Sequence, residues 1–177
     1  MEKLFFVGIK HSGKTTFAKR IAMRFGYEFS DADGLILEHL DGESIRDFYK
    51  REGKDAFMSI EKKAIEEYLE SNDKNIVLSL GGGAADNEAL MSTLKKSGKI
   101  IYLTRKESEI LPVILKHGIP AFLDPNNLEG SFHAIYEKRD NIYKLWADSI
   151  IDLGTYRDKD ETEEALYHKM RNLGYGI

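Results

Sequence analysis

The chain contains no cysteine. Disulfides, thiolate metal sites and cysteine nucleophiles are therefore excluded at once. It also lacks a strong charge of either sign: 26 basic residues against 30 acidic ones leave a formal net charge of −4. Neither nucleic acid nor an anionic membrane surface is an expected partner for so balanced a chain. No apolar run approaches the length of a membrane span, and the apolar start within residues 1–9 is too short for a signal peptide. A soluble cytoplasmic protein is the expectation. Internal repeats and low-complexity tracts are absent too. What is left is 177 residues, enough for one domain, 1–177, with a proper core, and a monomer is expected.

Against these absences stands one compact signal. Gly8-Ile9-Lys10-His11-Ser12-Gly13-Lys14-Thr15 spells a G-x-x-x-x-G-K-T phosphate-binding loop. Between the two glycines the backbone can curl so that successive N–H groups point at a polyphosphate. The lysine then reaches the β- and γ-phosphates, and the threonine hydroxyl can bind the accompanying Mg²⁺. Leu4–Val7 ahead of it is a short apolar run that reads as a buried strand, and Thr16–Phe25 behind it reads as a helix. Strand, loop, helix is the setting this motif requires. Gly8, His11, Ser12, Gly13, Lys14, Thr15 and Thr16 are the candidate nucleotide-binding residues. On the helix, Phe17, Ile21, Met23 and Phe25 are assigned to the core and Lys19 and Arg20 to solvent.

Further strand-like runs follow at Phe25–Phe29, Asn75–Leu80, Ile100–Leu103 and Ser149–Leu153, with helical segments such as Ala56–Leu69 and Asn87–Lys96 between them. Three of the runs are near-continuously apolar rather than alternating, as expected of strands covered on both faces. The pattern predicts an open, doubly wound α/β sheet of about five parallel strands with helices on both faces. Helical spacing breaks between Lys116 and Glu129, where Gly118, Pro120, Pro125 and two asparagines accumulate. In a phosphotransfer enzyme such a segment, here roughly residues 112–129, would be a lid that excludes water; an ordinary surface loop has the same composition.

Three other constellations carry possible chemistry. Phe29-Ser30-Asp31-Ala32-Asp33 ends the second strand, where ligands sit in a doubly wound sheet. One carboxylate there suits a Mg²⁺ shell near Thr15, and the other suits a substrate hydroxyl, as hydrogen-bond acceptor or base. The same letters also fit a helix N-cap with an acid in the first turn. Gly81-Gly82-Gly83 directly follows the third strand and leaves backbone amides bare to a closely approaching ligand; a tight turn would need fewer glycines. Arg139 lies on a helix beyond the lid segment, and its planar fork could clamp a carboxylate or phosphate or simply be solvated.

Taken in order, these segments resemble the shikimate kinase family over essentially the whole chain. The phosphate loop is followed by F-x-D-x-D, by a G-x-S-I-x-D/E-x-F segment seen here as Gly42–Tyr49, and by a G-x-x-x-F-x-x-x-E segment at Gly53–Glu61. Then come L-G-G-G, Y-L, and the R-x-x-x-Y-x-x-x-A-D set of Arg139, Tyr143, Ala147 and Asp148. The resemblance implies a three-layer, nucleoside-monophosphate-kinase-like phosphate-loop fold with a closing lid, and transfer of the γ-phosphate of ATP to one hydroxyl of shikimate. It further implies that Lys14 and its loop hold ATP, that Thr15 binds Mg²⁺ with Asp31 in or near the metal shell, and that Asp33 binds substrate hydroxyls and helps deprotonate the attacking one. Gly81, Gly82 and Gly83 would border the substrate, and Arg139 would bind its carboxylate.

The departures from the family pattern fall on the anion-gripping arginines. Met58 follows Phe57 where the family usually has arginine, Ile119 replaces a lid arginine, and Pro112 stands where another arginine usually lies against adenine. His11 occupies a loop position that is commonly small. Lys10, Lys116 and His117 are candidates to restore charge, although lysine does so as a point charge without the bidentate fork. Two further readings stay open on these grounds: a kinase of a less acidic polyol or sugar acid, and a divergent nucleotide-binding protein with little catalysis.

Overall fold

The computed structural model describes residues 1–119, 123–154 and 158–177. Its centre is a sheet of five parallel strands in the order β2-β3-β1-β4-β5. The strands are β1 (Lys3–Val7), β2 (Glu28–Asp31), β3 (Ile76–Ser79), β4 (Lys99–Thr104) and β5 (Ser149–Asp152). β1 is central, with Phe5 opposite Leu78 on one side and Ile100 on the other. Side chains alternate between the two faces. Phe5 and Val7 enter a core with α2 (Ala32–Leu37), α3 (Ile45–Ser71), α4 (Glu88–Ser97) and α6 (Leu128–Trp146), whereas Leu4 and Phe6 face α1 (Lys14–Phe25) and α7 (Lys159–Asn172). All the residues of β3 are buried, and so are Leu4 to Val7 of β1, which is why those runs read as continuously apolar. No helix among the described residues is long and apolar enough to cross a membrane.

Three sequence expectations shift. Phe25 does not open the second strand: it is the last residue of α1, Gly26 ends that helix in the left-handed region at φ 69°, and β2 starts only at Glu28. A glycine at this C-terminal position stops a helix without a Cβ clash. Met23 is 74% exposed although Phe17 and Ile21 are buried; two residues beyond Ile21 the helix has turned by about 200°, to the solvent face. The Ala56–Leu69 helix is the second part of a longer one, kinked at Gly53 (φ 85°, ψ −177°), a conformation reserved for glycine. Of the segment expected to form a lid, residues 112–116 are the end of α5 (Glu107–Lys116), and Pro120, Ala121 and Phe122 lie outside the described set.

Several family-like segments are structural fastenings. Ser44 caps α3, accepting from Asp47 N–H at 3.1 Å while its hydroxyl donates to the Asp47 carboxylate at 2.7 Å. Asp148 accepts from the Ile100 amide at 2.9 Å, and its own N–H donates to Ile100 O at 2.8 Å, tying the α6–β5 junction to β4.

Candidate active site

The order of the sheet sets the place of the site. From β1 the chain crosses to β2 on one side, and from β3 it crosses back over β1 to β4, so a crevice opens beyond the carboxyl ends of β1 and β3. The phosphate loop leaves β1 there, and the three glycines leave β3 beside it. The two loops touch: a Cβ built on Gly82 would lie 2.8 Å from the Lys10 backbone nitrogen. Gly82 is thus required by the close approach of the loops themselves, before any ligand is considered.

A cleft of about 510 Å³ lies between them, lined by Lys10, His11, Gly13, Lys14, Thr15, Thr16, Asp31, Asp33, Phe57, Glu61, Gly81, Gly82 and Gly83 among others. Gly8, Ser12 and Arg139 do not line it. Gly8 packs under the loop, where a Cβ would meet the Leu103 carbonyl oxygen at 2.6 Å, and the buried Ser12 Oγ lies on the same side, 2.8 Å from that Cβ position. Ser12 N–H donates to Ile9 O at 3.0 Å and closes the loop's turn.

The loop half of the cleft is built for a polyphosphate. Gly13 takes a left-handed conformation (φ 91°) at the N-cap of α1, no side chain caps that helix, and its first turn carries no acid. Its leading amides and the positive end of its dipole are left for an anion. Lys14 is only 7% exposed. Burial pushes its ammonium down to about 8, against the opposing pull of Asp33 and Asp31. An arriving polyphosphate would restore the charge that burial disfavours. His11 adopts φ 64°, a region tolerated by few residues other than glycine. Its ring stacks on that of His117 at the end of α5, with centroids 5.0 Å apart and an interplanar angle of 12°. Burial, then Lys10, His117 and Lys14, lower the His11 pKa, which favours the neutral ring. Lys10 lines the cleft, whereas Lys116 is exposed on the last turn of α5.

Thr15 Oγ1 is 3.2 Å from Asp31 Oδ2 and 2.9 Å from Ser79 Oγ. A hydroxyl and a carboxylate oxygen side by side at the phosphate end suit a small hard cation shared with phosphate oxygens. Asp31 also caps α2, accepting from Asp33 N–H at 3.1 Å, so the capping and site readings of this segment hold together. Ser79 was not marked by the sequence beyond being a polar residue in a buried strand; the pairing of β3 with β1 and β2 brings it to Thr15.

The other half of the cleft is acceptor-like. Burial, followed by the nearby Asp31 charge, raises the Asp33 pKa despite Lys14 and Lys10. Glu61, 2% exposed, faces the same space. Burial raises its pKa as well, although Asn87 Nδ2 donates to its Oε2 at 2.9 Å. The same Asn87 Nδ2 donates to Met58 O at 2.9 Å, and its Oδ1 caps α4 by accepting from Leu90 N–H. A Cβ on Gly81 would sit 3.7 Å from Asp33 Oδ1 and 3.8 Å from Glu61 Oε1, so Gly81 is the floor between the two carboxyls.

Arg139 is held behind the glycine turn. Its Nη2 lies 3.6 Å from the Cβ position of Gly83 and donates to Asp86 Oδ2 at 3.2 Å. One turn further along α6, the buried Tyr143 hydroxyl donates to Gly82 O at 3.1 Å and accepts from Ala85 N–H at 3.3 Å. This fastens the turn to the helix that carries Arg139. Burial pushes the Asp86 carboxyl up, but Arg139, with Lys138 and Lys54, outweighs it and holds the pKa below the ordinary value. Neither Asp86 nor Glu61 was assigned a role from sequence. Glu61 did stand in the segment ending at that position, and only the three-dimensional turn places Asp86.

A family profile described as shikimate kinase matches residues 10–170. The chain is 32% identical over 143 residues to the shikimate kinase of Persephonella marina, covering 81% of this chain and 84% of that one. It is 30% identical over 166 residues to that of Caldanaerobacter subterraneus, covering 94% and 95%. Among solved structures, shikimate kinase from Acinetobacter baumannii in complex with shikimate superposes with a TM-score of 0.81 at 26% identity, over 97% of this chain and 94% of that one. The fold also matches shikimate kinase from Bacteroides thetaiotaomicron, with a TM-score of 0.83 at 24% identity over 98% of each chain. With a phosphate loop and an acceptor-like half meeting in one cleft, and with this likeness running nearly end to end, the chain belongs to the shikimate kinase family.

Proposed function

We propose that this protein transfers the γ-phosphoryl group of ATP to a hydroxyl of shikimate. The observation that carries the reading is the meeting, in one cleft, of the buried Lys14 on its uncapped helix with Asp33 and the glycine turn backed by Arg139. ATP phosphates lie along the loop amides, and Lys14 meets the charge that builds on the transferring group. Thr15 and Asp31 would hold Mg²⁺ together with the phosphates, where it supplies charge neutralisation. The acceptor hydroxyl rests on Asp33, whose raised pKa suits it to take a proton as the hydroxyl attacks the phosphorus in line. Holding donor and acceptor together in a site shielded from water accounts for most of the rate such a reaction needs.

A less acidic polyol is the second reading, supported by Met58 and by a buried Glu61 that has an amide for a partner rather than a cation. The purified protein with Mg·ATP and a panel of hydroxylated metabolites, followed by ADP release with Lys14→Ala as control, separates the two. Shikimate-dependent release supports the first. Release with a neutral polyol and none with shikimate replaces it with the second.

A further inference from the structure

Three cations converge on one carboxylate behind the glycine turn. Arg139 Nη2 is 3.2 Å from Asp86 Oδ2, Lys54 Nζ is 3.8 Å from that same oxygen, and Lys138 Nζ is 3.3 Å from Oδ1. Lys54, Lys138 and Asp86 border a cavity of about 530 Å³, and Arg139 reaches from Asp86 toward Gly83, which lines the cleft. Glu88, exposed on the first turn of α4, lines the same cavity, so three cations face two carboxylates and positive charge remains in excess.

Lys54 owes its place to the kink at Gly53, which restarts α3 immediately before it. From there helical spacing carries one face through Lys54, Phe57, Met58 and Glu61, and Phe57 and Glu61 line the acceptor half. Asp33 and Glu61 make the cleft itself unfavourable to an anion, whereas the Lys54–Arg139 pair beyond Gly83 makes an anion welcome. A carboxylate held beside Gly83 would leave the rest of a small ring on the Asp33 side of the turn.

We propose that Lys54 is a substrate-binding residue whose ammonium, with the Arg139 guanidinium, takes the acceptor's carboxylate, and that Asp86 keeps both cations in position for it. The inference rests on the acceptor being a carboxylic acid, as in the function proposed above. Asp86 accepts at a single Arg139 nitrogen, so the remainder of the guanidinium fork is available to the ligand. Lys54 supplies a charge one helical turn before Met58, the side chain that offers none.

The test compares shikimate with its uncharged methyl ester in steady-state kinetics of the wild-type protein, Lys54→Met, Lys54→Arg and the double variant Lys54→Met/Met58→Arg. Lys54→Met is expected to raise KM for shikimate about tenfold while KM for ATP and for the ester move by less than about twofold. Lys54→Arg retains the wild-type preference for the acid, and the double variant recovers it. If Lys54→Met leaves KM for shikimate within about twofold of wild type, or raises KM for acid and ester alike, the proposal is overturned while the function stands. A wild-type protein that phosphorylates a neutral polyol and not shikimate would overturn both.

Discussion

At the scale of single residues, Lys14 shows how the site trades stability for binding. Its ammonium is buried and its pKa is depressed from 10.5 to about 8, so below pH 8 the ligand-free fold bears an unfavourable charge of about 3 kcal/mol. The folded lysine binds fewer protons than the unfolded one between these two values, and wild-type stability must rise with pH across that window. Lys14→Met is expected to melt about 5–10 °C higher than wild type at pH 7, to lose most of that advantage by pH 10, and to have no kinase activity. Equal melting temperatures at pH 7 would show that burial does not penalise the charge. Glu61 gives the companion case with the opposite sign of group. Its raised pKa means that the folded state holds a proton the unfolded state releases above about pH 4.5, so wild-type stability falls as pH rises past that point. Glu61→Gln keeps the Asn87 contact without the charge and should gain stability relative to wild type between pH 4.5 and 7.5, read by urea titration at both pH values. Lys14, Thr15, Asp31 and Asp33 were legible in the sequence because each lies in a short segment whose spacing already encodes its geometry. Ser79, Asp86 and Lys54 were not, because their partners are contributed by other strands and helices.

At the scale of elements, the glycine turn and α6 act as one unit. Tyr143 satisfies Gly82 O and Ala85 N–H with a single buried hydroxyl. Tyr143→Phe leaves both backbone groups without that partner and is expected to destabilise the protein by about 1–3 kcal/mol, measured by denaturant unfolding. It should also raise KM for the acceptor more than KM for ATP, since the turn lies on the acceptor side. Gly82→Ala puts a methyl against the Lys10 backbone, not against a flexible side-chain tip. It is expected to displace the phosphate loop, raising KM for ATP as well as for the acceptor. Unchanged ATP kinetics in this variant would show that the two loops are not mechanically joined. Here the sequence reading was partial for physical reasons. Apolar runs located every strand, but β2 was set too early because Phe25 is apolar as the end of a helix no less than as the start of a strand, and only Gly26 separates the two. The long α3 was half seen because the glycine that kinks it also resembles a helix stop.

At the scale of the whole molecule, function follows from strand order. The crossing from β1 to β2 and the return from β3 to β4 place the phosphate loop and the glycine turn side by side at one end of the sheet. The alternation of apolar runs and helical segments foretold the parallel sheet; the order of its strands was not read from the sequence, since periodicity carries no information about which strand neighbours which. If this cleft joins ATP to shikimate, phosphorus NMR of the purified protein with Mg·ATP and shikimate will show a new phosphomonoester resonance. That resonance should grow at the rate at which ADP appears, depend on shikimate and be absent with Lys14→Ala. ADP and inorganic phosphate formed with no phosphomonoester, or a phosphomonoester formed only when shikimate is replaced by a neutral polyol, would contradict it.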